Sequence, residues 1–144
     1  MNIEIRENLS YHLYGFSGIV SDFKFGEMGM TLSGKMWDIV KKNNLANKGI
    51  NIWAYDNQSK MFCGVELEPR PADSFGMEER DLHFEKYAWY KHVGPYQLLH
   101  EANEKMRQDL QKLGLKYGPP TLEIYGHHDP DPQKVVTEII YTVR

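Results

Sequence analysis

The chain has 144 residues, 41% hydrophobic and 26% charged, as in an ordinary globular domain of roughly 100–200 residues and unlike a disordered or collagen-like sequence. Seventeen Lys and Arg face 20 Asp and Glu, a formal charge of −3, and no basic run exceeds Lys41-Lys42, which argues against direct binding of nucleic acid through its phosphates. No apolar run approaches the roughly 18 residues of a membrane span, Met1–Arg6 lacks the apolar core of a signal peptide, and a single cysteine, Cys63, excludes an internal disulfide and fits a reducing, cytoplasmic setting.

Taken in chain order, residues 11–20 read as a strand with glycines at 15 and 18. Residues 27–44 read as a helix with Met28, Leu32, Met36 and Ile39/Val40 on its core face, despite the cost of Gly29 and Gly34. Asn47-Lys48-Gly49 turns the chain into a strand over 50–55. Asp56-Asn57-Gln58-Ser59 is a hairpin turn, and 61–68 is the return strand. Residues 68–80, with two prolines and a glycine, separate the halves. The order then repeats. Leu82–His92 is an aromatic-rich strand, and Gly94-Pro95 opens a helix with Tyr96, Leu99, Met106, Leu110 and Leu113 in 3–4 spacing, Asn103 filling the one polar step. Gly114 is its C-terminal cap. Strands over 121–126 and 134–143 follow, joined by a polar loop.

The expected fold is therefore α+β: one domain over 1–144, made of two βαββ repeats (about 1–70 and 78–144). Their antiparallel strands form one sheet with two helices on one face and a cleft between the repeats.

Alternation sorts the strand residues into faces. Ile50, Ile52 and Ala54 oppose Asn51, Trp53 and Tyr55, and Leu122 and Ile124 oppose Thr121, Glu123 and Tyr125. The purely apolar faces are expected against the helices. Trp53, Tyr55 and Tyr125 then line the other face around Glu123, with Trp53 matching Glu123 across a pseudo-two-fold axis. An aromatic wall around a carboxylate suits a flat, cationic or lipophilic small molecule. Glu138, two residues from Ile140 in an apolar strand, is a second acid that calls for water, a partner or a ligand, and Glu66 is its expected counterpart in the first repeat. Tyr87 and Trp89 share a face and are candidates for walls of the same cleft.

His92-Val93-Gly94-Pro95-Tyr96, Gly118 to Tyr125 (GPPTLEIY), and Thr137-Glu138-Ile139-Ile140-Tyr141 together resemble the GyrI-like family, the effector-binding domains of multidrug-responsive regulators. Ile52 to Asn57 matches its aromatic strand more loosely. The resemblance implies a ligand cleft between two βαββ units, with Glu123 as the ligand's charge partner and Glu138 lining the cleft. The expected ligand set is Trp53, Tyr55, Tyr87, Trp89, Glu123, Tyr125, Glu138 and Ile140. Two repeats leave no room for a DNA-binding module, so the stand-alone form of the family is expected. Its expected work is binding of hydrophobic, cationic or planar compounds.

Two further expectations come with the resemblance. One is hydrolysis of cyclopropane-containing genotoxic natural products by Glu123 with a poised tyrosine, and the other is a protein partner in the manner of a gyrase inhibitor. The adjacent His127-His128 lack the spacing of a zinc site and read as polar loop, so neither metal nor cofactor is called for. Cys63 reads as a structural thiol.

Overall fold

A computed structural model describes residues 2–57, 59–126 and 129–144. The elements are β1 (Glu4–Ile19), α1 (Phe25–Lys42), β2 (Asn51–Tyr55), β3 (Lys60–Val65), β4 (Glu78–Val93), α2 (Leu99–Lys112), β5 (Tyr117–Tyr125) and β6 (Val136–Val143). This is strand, helix, strand, strand, twice over. Every strand pairing is antiparallel, and the order β1-β3-β2-β5-β6-β4 reads the same from both ends once β1 is matched with β4, β2 with β5 and β3 with β6. The sheet does not stay open. β1 and β4 pair along their length, from Glu4 with Trp89 to Gly15 with Glu78, and close it into a barrel.

That closure explains the largest difference from the sequence reading. One cluster of buried residues takes Leu13, Ile52, Ala54, Phe62, Phe84, Leu122 and Ile140 from all six strands and nothing from a helix, so it fills the barrel lumen. The aliphatic faces of β2 and β5 therefore point inward, away from the helices, and the Trp53 and Glu123 faces lie on the helix side. A small barrel is filled by its own side chains. On β2 and β5 the compact aliphatic residues fit there, while Trp53, Tyr55 and Tyr125 face outward, where the polar tips of these rings reach partners.

Each helix covers one flank. Leu32, Met36 and Val40 of α1 pack on Phe16, Met61, Cys63 and Val65. Leu99, Ala102, Met106 and Leu110 of α2 pack on Ala88, Ile139, Tyr141 and Val143. Truncating a fully buried residue such as Met106 costs roughly 2–5 kcal/mol. A 3-10 turn over Tyr96–Leu98 precedes α2, so the regular helix starts three residues later than its apolar pattern does. Gly114 stands at φ 72° just past its end, the left-handed conformation of a helix stop.

β1 begins seven residues earlier than expected. Its first residues are charged and are held by the β4 ladder, for which local propensity gives no sign. Asn8, at φ 59°, faces Glu85 across this ladder. There the inward set of β4 changes from Leu82 and Phe84 to Tyr87 and Trp89.

Candidate functional site

The site lies on the helix side of the barrel, where β2 meets β5 in the middle of the strand order. Trp53 and Glu123 are direct cross-strand partners, as the pseudo-two-fold predicts. Tyr55 and Tyr125 stand two residues further along their own strands, on opposite sides of that pair.

Trp53 is placed by a glycine. A Cβ at Gly29 would come within 2.3 Å of the indole ring, so the glycine lets α1 lie flat on the tryptophan. One turn on, Ser33 accepts hydrogen bonds from Trp53 Nε1 at 3.0 Å and from Asn51 Nδ2 at 2.9 Å.

Glu123 is 9% exposed. Both tyrosine hydroxyls donate to its Oε1, Tyr125 at 2.9 Å and Tyr55 in a close contact. Asn103 Nδ2, from α2, donates to Oε2 at 3.2 Å. All three donors are neutral, and among the described residues no ion pair reaches this carboxylate. Burial, then the Glu123 charge, pushes both phenols well above their ordinary range, so they stay protonated and donate to the carboxylate. Burial likewise pushes the Cys63 thiol up to about 12, against a hydrogen bond from Ser33.

Aromatic rings close the box. Trp53 meets Tyr125 edge-on at 5.0 Å, Phe25 meets Tyr55 at 5.5 Å, and Tyr96 meets Tyr125 at 5.6 Å.

The eight candidate residues thus divide between two faces. Trp53, Tyr55, Glu123 and Tyr125 come together beside the helices. Tyr87, Trp89 and Ile140 belong to the lumen cluster, and Glu138 accepts a hydrogen bond from Trp89 Nε1 at 2.7 Å. One cleft lined by all eight is therefore corrected: the alternation of β6 and the parity change in β4 turn the second four away from Glu123. Register also replaces Glu66 as the counterpart of Glu138. Trp53 pairs with Cys63 and Glu123 with Ile139, so Glu138 matches Phe62.

The sequence reading missed Ser33, Asn103, Phe25 and Tyr96 as site residues. Asn103 alone had left a signal, as the polar step in an apolar helix face. A groove of about 790 Å³ runs along Ser10–His12, Glu66–Arg70 and Asp81–His83, and holds none of the eight. His127 and His128 lie outside the described residues, and among the described residues no group of three or more His, Cys, Asp or Glu could hold a metal. Among the described residues no helix is long and apolar enough to cross a membrane.

The sequence matches the GyrI-like small molecule binding domain over residues 1–144. The chain belongs to this family. The GyrI-like fold is also that of the EcmrR C-terminal domain, with a TM-score of 0.81 at 16% identity, over 99% of this chain and 97% of that one. EcmrR in its complex with DNA matches at 0.76 and 17% identity over 99% of this GyrI-like chain, which spans 57% of the EcmrR chain. The structure of SAV2435 bound to tetraphenylphosphonium matches at 0.67 and 14% identity, over 100% of this chain and 94% of that one. No curated protein matches the sequence. The chain is thus a GyrI-like small-molecule-binding domain with the fold of the EcmrR C-terminal domain.

Proposed function

We propose that the cleft between the helices binds hydrophobic cations, with Glu123 as the counter-charge and Trp53, Tyr55 and Tyr125 as the aromatic walls. One observation carries this reading: Glu123 is buried beside three neutral donors and has no cationic partner among the described residues. A desolvated carboxylate is costly without a counter-ion. A delocalised cation supplies one without needing hydrogen bonds, and gains stacking and cation–π attraction from the rings. The tetraphenylphosphonium held by a protein of the same fold is a compound of this class.

Tetraphenylphosphonium and tetraphenylborate share a shape and differ in sign, so they test the reading directly. The cation at 100 times its dissociation constant is expected to stabilise the fold by about 2.7 kcal/mol, and the borate to do nothing. Glu123→Gln should remove the preference and leave a neutral aryl compound such as triphenylphosphine oxide unaffected. Equal loss for charged and neutral compounds would sink the role of Glu123.

A second reading draws on the contact between Tyr55 and Glu123. The same pair could open a strained electrophile, the carboxylate activating water and a protonated phenol donating to the leaving group. Turnover of a cyclopropane-bearing substrate, abolished in Glu123→Gln, would favour it over simple binding.

A further inference from the structure

Behind Glu123 runs a chain of donors from α2 and β6. Arg107 Nη1 donates to the Tyr141 hydroxyl oxygen at 2.9 Å, and that hydroxyl donates to Asn103 Oδ1 at 2.8 Å. Asn103 Nδ2 then donates to Glu123 Oε2 at 3.2 Å and to the Leu99 carbonyl at 2.9 Å. We infer that Arg107, without touching Glu123, fixes the donor that Asn103 presents to this carboxylate, acting through Tyr141, and is a positioning residue for cation recognition.

The direction of the chain is forced. A guanidinium has no acceptor, so the Tyr141 oxygen must accept from it and pass its own proton on. Asn103 therefore presents its oxygen to Tyr141 and its NH₂ to Glu123. Flipping the amide would set oxygen against carboxylate and break both links. Each donor polarises the next, so part of the guanidinium charge is felt at Oε2.

The groups facing Glu123 are Tyr55 from β2, Cys63 from β3, Tyr125 from β5, and Tyr141 from β6 with Asn103 from α2. Burial keeps the three phenols protonated. Among the described residues, Arg107 is the one ion joined to this cluster by hydrogen bonds. Among the described residues the first repeat has no such chain. Trp37 stands at the matching helix position, and the Ser33 hub ends on the neutral Cys63 thiol. The charged tether therefore occurs in the repeat that carries the carboxylate.

This inference rests on the cation reading of the cleft, and the experiment separates the two. Tetraphenylphosphonium and tetraphenylborate are titrated by calorimetry into the full chain at neutral pH, for the wild type, Glu123→Gln, Arg107→Leu, Arg107→Lys, Tyr141→Phe and the Arg107→Leu/Tyr141→Phe double variant. Arg107→Leu and Tyr141→Phe should each weaken cation binding at neutral pH by roughly 3- to 10-fold. Arg107→Lys should restore most of the affinity, the double variant should be no worse than either single one, and borate titrations should not change. Thermal melts establish that each variant is folded, and Arg107, part-exposed, is the substitution least able to disturb the core. Glu123-dependent wild-type binding that Arg107→Leu and Tyr141→Phe leave unchanged overturns the tether alone. A wild type that ignores the cation, or binds it equally well as Glu123→Gln, overturns the cation reading and the tether with it.

Discussion

The two repeats build the same frame and put opposite chemistry on it. At the central cross-strand pair, the first repeat supplies the indole of Trp53 and the second the carboxylate of Glu123. Behind each stands a polar residue at the matching turn of its helix, Ser33 or Asn103. Phe25 caps Tyr55 as Tyr96 caps Tyr125, at 5.5 and 5.6 Å. The differences follow from what each centre needs. An indole needs room and one acceptor, so the first repeat has Gly29 over the ring and a serine oxygen at its N–H. A carboxylate needs donors, so the second repeat has the Asn103 amide and a larger residue, Leu99, where the first has glycine. Pseudo-symmetry supplies the geometry, and its breaking sets an indole opposite a carboxylate in the middle of the strand order.

The largest test of that comparison is steric. Leu99→Ala should cost roughly 2–5 kcal/mol of unfolding free energy, because α2 rests on that side chain. At the matching position of α1 the opposite change is the damaging one. Gly29→Ala drives a methyl group into a rigid indole and should cost about 1–3 kcal/mol. Trp53→Leu should relieve that cost, since a shorter side chain leaves the methyl space. Denaturant melts of the single and double variants measure the coupling. Additive effects would mean that Gly29 is not there to seat the tryptophan.

A weaker effect separates Cys63 from its counterpart Ile139. Burial has pushed the Cys63 thiol to about 12, so at pH 8 only about one part in ten thousand is thiolate. Native protein should resist an aromatic disulfide reagent for hours and react promptly in urea. Fast reaction of the folded protein would show that the α1 side of the cleft opens, and would end the view of Cys63 as packing equivalent to an isoleucine.

Much of this frame was legible in the sequence because it rests on short periods. Glycine and proline punctuation marked the repeats, and the period of two grouped Trp53 with Tyr55 and Glu123 with Tyr125. The same period could not say which face meets the helices, since a closed barrel buries both. Pairing of β1 with β4, which closes the barrel, joins segments more than 60 residues apart and leaves no local trace. Tyr87 and Trp89 were drawn to the wrong side because alternation breaks near Glu85, opposite the left-handed Asn8. Gly29 read only as a helix cost, because its reason is a side chain on another element. Glu66 was matched to Glu138 by chemistry, whereas the ladder counts from Trp53 and Glu123 and gives Phe62.

The smallest effect tests the other seam between the repeats. Where β1 meets β4, His12 Nδ1 lies 2.5 Å from Asp81 and Nε2 3.0 Å from Glu79. At the pseudo-symmetric place Glu7 faces Lys86. Both places set an acid of one repeat opposite a base of the other, but only at the first is the base an imidazole. The Asp81 hydrogen bond, supported by Glu79 and opposed by burial, raises His12 above its ordinary value. The folded state therefore holds this proton more tightly than the unfolded chain. The resulting stabilisation is complete below the unfolded value of about 6.5, and is lost as pH rises through the folded value. Melting temperature should thus fall slightly above pH 6.5, slightly because Asp81 is exposed to solvent. Asp81→Asn should flatten that slope, and Lys86→Gln should leave it in place. If the slope survives in Asp81→Asn, the seam is held by its backbone ladder and its lumen packing, and His12 is a bystander to barrel closure.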